Sequence, residues 1–259
     1  MQFLKNPKNI LGAIALIGAP FFSAPLNADP LPVWDSTWTQ FAVDDGIVGP
    51  GGGGQAFDAE YFFYSLNGTQ LSIGLQTGFD VVSGQQAYSG RDYFAGDLAI
   101  SFDGAPGYEF GVDFGLLTKD YFLQIVDTGS NTGIDDGGIY KNVAWNSNVV
   151  PAHAGSAPFA LDGGDRIVGA NFSQQSGSGT AGGNTSYFRI VSFDLASLGI
   201  DYSNPIEMDA HWTMSCGNDT INGGATLTVR EPGPSIPEPA SVVLLATGLL
   251  GLFARRRLQ

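Results

Sequence analysis

At 259 residues the chain is long enough for one domain of ordinary size plus two terminal segments. Its 25 Asp and Glu outnumber its 11 Lys and Arg, and a net charge of −14 excludes a nucleic-acid binder, because phosphate contacts need a basic surface. A lone cysteine, Cys216, excludes an internal disulfide.

The N-terminus reads as a cleavable signal peptide over 1–28. Lys5 and Lys8 supply its positive region, Ile10 to Phe22 its apolar region, and Leu26-Asn27-Ala28 a small-residue cleavage site. Pro20 and Pro25 argue against a continuous spanning helix. Cleavage by signal peptidase would leave a mature chain starting at Asp29. Between that point and 235, six basic residues stand against 24 acidic ones, so the body (a net of −18) is more acidic than the whole.

Along the body, Leu31 to Val48 mixes aromatics and acids, and Gly49 to Gly54 is a Pro-Gly spacer without the Gly-Lys-Ser/Thr of a phosphate loop. Asp58 to Phe79 predicts a hairpin: an aromatic strand through Tyr61 to Tyr64, an Asn67-Gly68 turn, then Leu71, Ile73 and Leu75 in alternation. Asp97 to Leu117 predicts a second hairpin turning at Asp103 to Gly107. Further strands are expected over Tyr121 to Val126, Gly138 to Trp145, Tyr187 to Leu195, Ile206 to Ser215 and Ala225 to Val229. Ser173 to Ser186 has low complexity and reads as a mobile surface loop, and Leu195 to Leu198 hints at a helical turn. Short alternating strands with turn signals between them predict an all-β body over 29–235, a single antiparallel β-sandwich or jelly roll.

The acids sit in glycine loops, where carboxylates and carbonyls could meet the oxygen-rich coordination of calcium; Asp103, Asp135 and Asp136 are the strongest candidates. No EF-hand spacing occurs, and Asp in such loops also forms turns. A serine-hydrolase elbow, Gly-x-Ser-x-Gly, is missing. Glu207 and Asp209, two residues apart on one strand, would lie about 7 Å apart on one face, a spacing a glycosidase could use. His211 and Cys216, five apart, would point to opposite faces. Trp34, Trp38 and Trp145, with Tyr88, Tyr93 and Trp212, are the aromatic platforms on which sugar rings could stack, although aromatics in a β-protein also build cores.

The C-terminal segment 236–259 has three parts: Pro237-Glu238-Pro239, an uncharged run from Ala240 to Ala254, and Arg255-Arg256-Arg257. As a helix that run would span about 22 Å, short for a hydrocarbon core of roughly 30 Å. The cationic end would be held on the cytoplasmic side, leaving the body outside. This tripartite tail resembles the PEP-CTERM sorting signal of Gram-negative bacteria. The resemblance implies recognition by an exosortase in the inner membrane, cleavage near Pro-Glu-Pro, and delivery to the cell surface or extracellular matrix. The segment His211-Trp212-Thr213-Met214-Ser215-Cys216-Gly217-Asn218-Asp219 is also similar to one in a subset of such proteins. The expectation is a non-enzymatic structural or adhesive protein associated with exopolysaccharide. A carbohydrate-binding module and a secreted glycoside hydrolase are the alternatives.

Overall fold

The computed structural model describes residues 29–43, 54–122, 134, 136–149 and 151–229. The signal peptide, the spacer as far as 53, the expected strand beyond Phe122, Asp135 and the C-terminal segment lie outside them. The described strands are Thr39–Val43 (β1), Ala59–Asn67 (β2), Gln70–Thr77 (β3), Gln85–Tyr88 (β4), Arg91–Phe94 (β5), Leu98–Ser101 (β6), Phe110–Asp113 (β7), Gly138–Trp145 (β8), Leu161–Arg166 (β9), Ser173–Ala181 (β10), Asn184–Asp194 (β11), Ile206–Thr213 (β12) and Thr220–Leu227 (β13); Leu195–Leu198 (α1) is one helical turn. All pairing among them is antiparallel.

Two sheets form the body. The first has five strands in the order β1-β2-β3-β11-β10, the second six in the order β13-β12-β6-β7-β8-β9, and β4-β5 is a separate ribbon. Alternation decides which side chains meet between the sheets. On β3, Leu71, Ile73 and Leu75 turn inward; on β12, Ile206, Met208, Ala210 and Trp212 do. They join one core with Phe62, Ile100, Val112, Ile139 and Phe193. A fully buried leucine or isoleucine is worth about 1.5–3 kcal/mol, so this interdigitated layer is the main stabilising element. Trp212 meets the requirement of its buried indole by donating Nε1–H to the Gly96 carbonyl at 3.0 Å. The fold is thus an all-β, β-sandwich-like one.

The outer face of the first sheet is covered too. Leu31 and Trp34 lie across it, Trp34 stacked on Phe63 at 4.5 Å. Gly74 makes this possible, since a Cβ there would collide with the Trp34 ring. Beneath the strap lies a buried polar network. Gln76 accepts from the Leu31 N–H (2.9 Å) and from Trp34 Nε1 (2.6 Å), and donates to Glu60 (2.6 Å). Glu60 also accepts from Ser186 Oγ and Gln55 Nε2.

Several local expectations hold with adjustment. The β2–β3 turn centres on Gly68-Thr69 and not on Asn67-Gly68, because Asn67 pairs with Gln70; Gly68 takes the positive φ of 58°. The stretch Ser173 to Ser186 is not a loop. It forms β10, a two-residue turn at Gly182-Gly183 with φ of 56° and 88°, and the start of β11. Ser, Gln and Gly carry no apolar alternation, so periodicity could not reveal the strand, although Gly-Gly is a hairpin signal. The β4–β5 ribbon was also hidden, in its case by its shortness.

Candidate functional site

The β4–β5 ribbon turns through Ser89 (φ 50°) and Gly90 (φ 78°), the paired left-handed conformations that match strand twist. Tyr88 and Arg91 close that turn as a cross-strand pair, and Gln86 opposes Tyr93. Period-two alternation therefore puts Gln86, Tyr88, Arg91 and Tyr93 on one face of the ribbon.

This face continues into a chain of rings. Phe57, fully buried, meets Tyr88 at 5.4 Å and Tyr93 at 4.8 Å, both edge-to-face. Tyr93 reaches Tyr121 at 6.0 Å, and Tyr121 meets Phe122 at 5.0 Å with planes perpendicular. The two ends are open to solvent: Tyr88 is 50% exposed and Phe122 61%. The Arg91 guanidinium lies over the Tyr121 ring at 4.2 Å, and Lys119 Nζ stands 5.0 Å from the Phe94 ring. Among the described residues the one ion pair is Arg166 with Asp136, so no described carboxylate forms an ion pair with Arg91 or Lys119. Arg91 thus lies over a half-buried ring of this chain, whereas Lys119 stands over Phe94, which is buried and belongs to the opposite face of the ribbon.

The ribbon's base is tied into the sandwich. Phe94 N donates to Ser215 Oγ at 2.9 Å, Ser215 N to the Phe94 carbonyl at 2.8 Å, and Ala95 bridges Met214. Thr118 Oγ donates to the Ala95 carbonyl, and the Asp120 carboxylate accepts from Phe122 N, which fixes the last two rings. The segment singled out as His211 to Asp219 is therefore scaffold. Trp212, Met214 and Cys216 enter the core, and burial pushes the Cys216 thiol up to about 11. His211 faces the other way. Its Nε2 donates to the Ser156 and Pro158 carbonyls, Nδ1 lies 2.7 Å from the Asn222 side chain, and burial lowers its pKa. Asp219 ties the two sheets together by accepting from Ala59 N at 2.8 Å.

The sequence candidates fall elsewhere. Trp34 and Trp38 come together, 5.1 Å apart and edge-to-face, but both are half-buried in the strap. Trp145 is half-buried on the second sheet, donating weakly to the Tyr108 carbonyl at 3.4 Å. Asp103 caps its own turn, accepting from Ala105 N and Ser101 Oγ. Asp136 accepts from Tyr140 and Arg166, and that contact, with burial as the larger cause, raises the Tyr140 pKa. Among the described residues no three His, Cys, Asp or Glu side chains converge as a metal site. Glu207 and Asp209 are exposed on the outward face of β12, with Glu207 accepting from Thr226 Oγ at 3.0 Å. Asp209 lines a shallow groove with Tyr108 and Asn222. Of the ring chain, only Tyr88 and Tyr93 were legible as platforms; Phe57, Arg91, Tyr121 and Phe122 come from three separate stretches that only the fold unites.

The body is an all-β protein of β-sandwich type, and its address is written beyond it. Residues 235–257 match the PEP-CTERM protein-sorting motif, which makes the chain an exosortase-sorted protein, exported to the cell surface through processing at the membrane. No curated protein and no solved structure matches the chain. Among the described residues no helix is long and apolar enough to cross a membrane.

Proposed function

We propose that the body is a non-enzymatic adhesive module that holds extracellular polysaccharide at the cell surface through the ring chain on the β4–β5 ribbon. The observation that carries this reading is Arg91, stacked on Tyr121 and without an ion-pair partner among the described residues, between the exposed rings of Tyr88 and Phe122. The C–H faces of a pyranose are apolar and weakly positive, and stack on the negative face of an aromatic ring. A guanidinium held by a ring keeps its N–H donors for hydroxyls or carboxylates. Exposed aromatics on a rigid element lose little entropy on contact. The Arg91 cation favours a glycan bearing acid groups. The edge-to-face geometry offers separate platforms and not one coplanar surface, which suits a soluble chain better than a crystalline sheet of glycan.

The test is affinity electrophoresis of the exported protein in gels cast with the host's own polysaccharide. Tyr88→Ala with Phe122→Ala, and Arg91→Gln separately, should abolish retardation seen with the wild-type chain, and high salt should weaken it. Equal retardation of all forms would reject the site.

A further inference from the structure

Four strand edges bound the two sheets: β1 and β10 on the first, β13 and β9 on the second. An exposed edge is a template for another strand, so proteins shorten it, bulge it, charge it or cover it. Three of the four are treated in this way. β1 has five residues and a register shift between Gln40 and Ala42. β9 has six residues, carries Asp162, Asp165 and Arg166, and slips register twice against β8. β13 lies against β1, close enough that a Cβ on Gly223 would come within 2.6 Å of Ala42 Cβ. Among the described residues β10 has none of these devices. It runs for nine residues, Ser-Gln-Gln-Ser-Gly-Ser-Gly-Thr-Ala, without charge or proline, and pairs with β11 without interruption.

The hairpin geometry says which groups of β10 are offered. Ala181 and Asn184 close a two-residue turn, so they exchange hydrogen bonds, and so do 179 with 186, 177 with 188 and 175 with 190. The N–H and C=O of Gln174, Ser176, Ser178 and Thr180 therefore point away from β11, and all four residues are exposed. We infer that β10 is a self-association edge, pairing antiparallel with β10 of a second copy about a two-fold axis to make a continuous ten-stranded sheet.

A second copy is favoured over a foreign strand for three reasons. An antiparallel edge is complementary to itself under two-fold rotation. In the register that uses all four outward residues, Gln174 faces Thr180 of the second copy, Ser176 faces its Ser178, and Gly177 sits on the axis, so no bulky side chain opposes the approach. The bodies over 29–235, with 6 basic and 24 acidic residues, carry a net charge of −18 each and repel elsewhere, whereas this strip is neutral. A strand pair alone buries less than the roughly 1,200 Å² of a stable interface, so the contact is weak in dilute solution. Sorting confines every copy to one surface and supplies the effective concentration. The inference is independent of the glycan site, which lies on another element.

The experiment is sedimentation of the chain recovered from the cell surface, over a series of concentrations, with two variants. Ser178→Pro removes an outward N–H and leaves the β11 ladder intact. Ser176→Lys with Ser178→Lys sets like charges directly opposite each other across the axis, twice. The wild-type chain is expected to show a dimer growing with concentration, and each variant an association about tenfold weaker with an unchanged circular-dichroism spectrum. A wild-type chain that stays monomeric throughout, or a dimer that the lysine variant does not weaken, would overturn the inference. Should Ser178→Pro fail to fold, the lysine variant decides the matter alone.

Discussion

At the scale of single residues, the most informative group is Glu60, 3% exposed beneath the strap. Burial raises its pKa above the ordinary 4.5, against the opposing hydrogen bonds from Gln76, Ser186 and Gln55. The folded chain thus holds this proton to a higher pH than the unfolded chain. Its contribution to stability is fully present at low pH and is lost as pH rises from about 4.5 through the folded value. Replacing it, Glu60→Gln, should flatten the stability–pH curve in that window, as measured by urea midpoints at a series of pH values. The variant should also cost about 1–3 kcal/mol throughout, since an NH₂ would face the Gln76 donor. A variant curve parallel to that of the wild-type chain would mean that Glu60 is not the titrating group. The strap gives a second expectation. Gly74→Val drives a side chain into Trp34, and the lost fit should lower stability by about 1–3 kcal/mol in the same assay.

At the scale of elements, two hairpins carry the consequences: the β4–β5 ribbon escaped the sequence, and of the β10–β11 hairpin only the strand over Tyr187 to Leu195 was expected. β3 and β12 were legible because apolar residues alternate along them, β6 and β7 because Leu98, Ile100, Phe110 and Val112 do the same, and β2 by its run of aromatics. β10 sits at an edge with little apolar burial, so nothing selected hydrophobic residues there. β4 and β5 are four residues each, and their partners Phe57 and Tyr121 are distant in sequence. Aromatic content could not separate core from surface either: Trp34 is spent on the strap and Trp212 on the core, while the exposed rings are a tyrosine and a phenylalanine. Turn chemistry offers a test of the ribbon as a unit. Gly90→Val forces a branched residue to a φ of 78°, at a cost of about 1–2 kcal/mol. Amide exchange over 85–94 should quicken and polysaccharide retention should fall, with the melting temperature of the sandwich nearly unchanged. Loss of retention through collapse of the whole fold would show instead that the ribbon and the sandwich are one cooperative unit.

At the scale of the whole molecule, the parts form a sequence of events. The tail motif marks the chain for the surface, and in the account proposed above the sandwich presents one adhesive ribbon and one open edge. In this account its acidity keeps copies apart except where β10 is neutral, and sets off the Arg91 cation beside the rings. Address and adhesion are separable in this account, because they reside in different segments of the chain. The most direct test is fractionation of native-host cells expressing three forms: the wild-type chain, a chain lacking Pro237 to Gln259, and a full-length chain with Tyr88→Ala, Arg91→Gln and Phe122→Ala. Wild-type protein is expected with the surface polysaccharide and the truncated chain away from the surface. The triple variant should be exported and processed normally but released into the medium. Retention of the triple variant alongside the wild-type chain would contradict the claim that these rings hold the protein to polysaccharide.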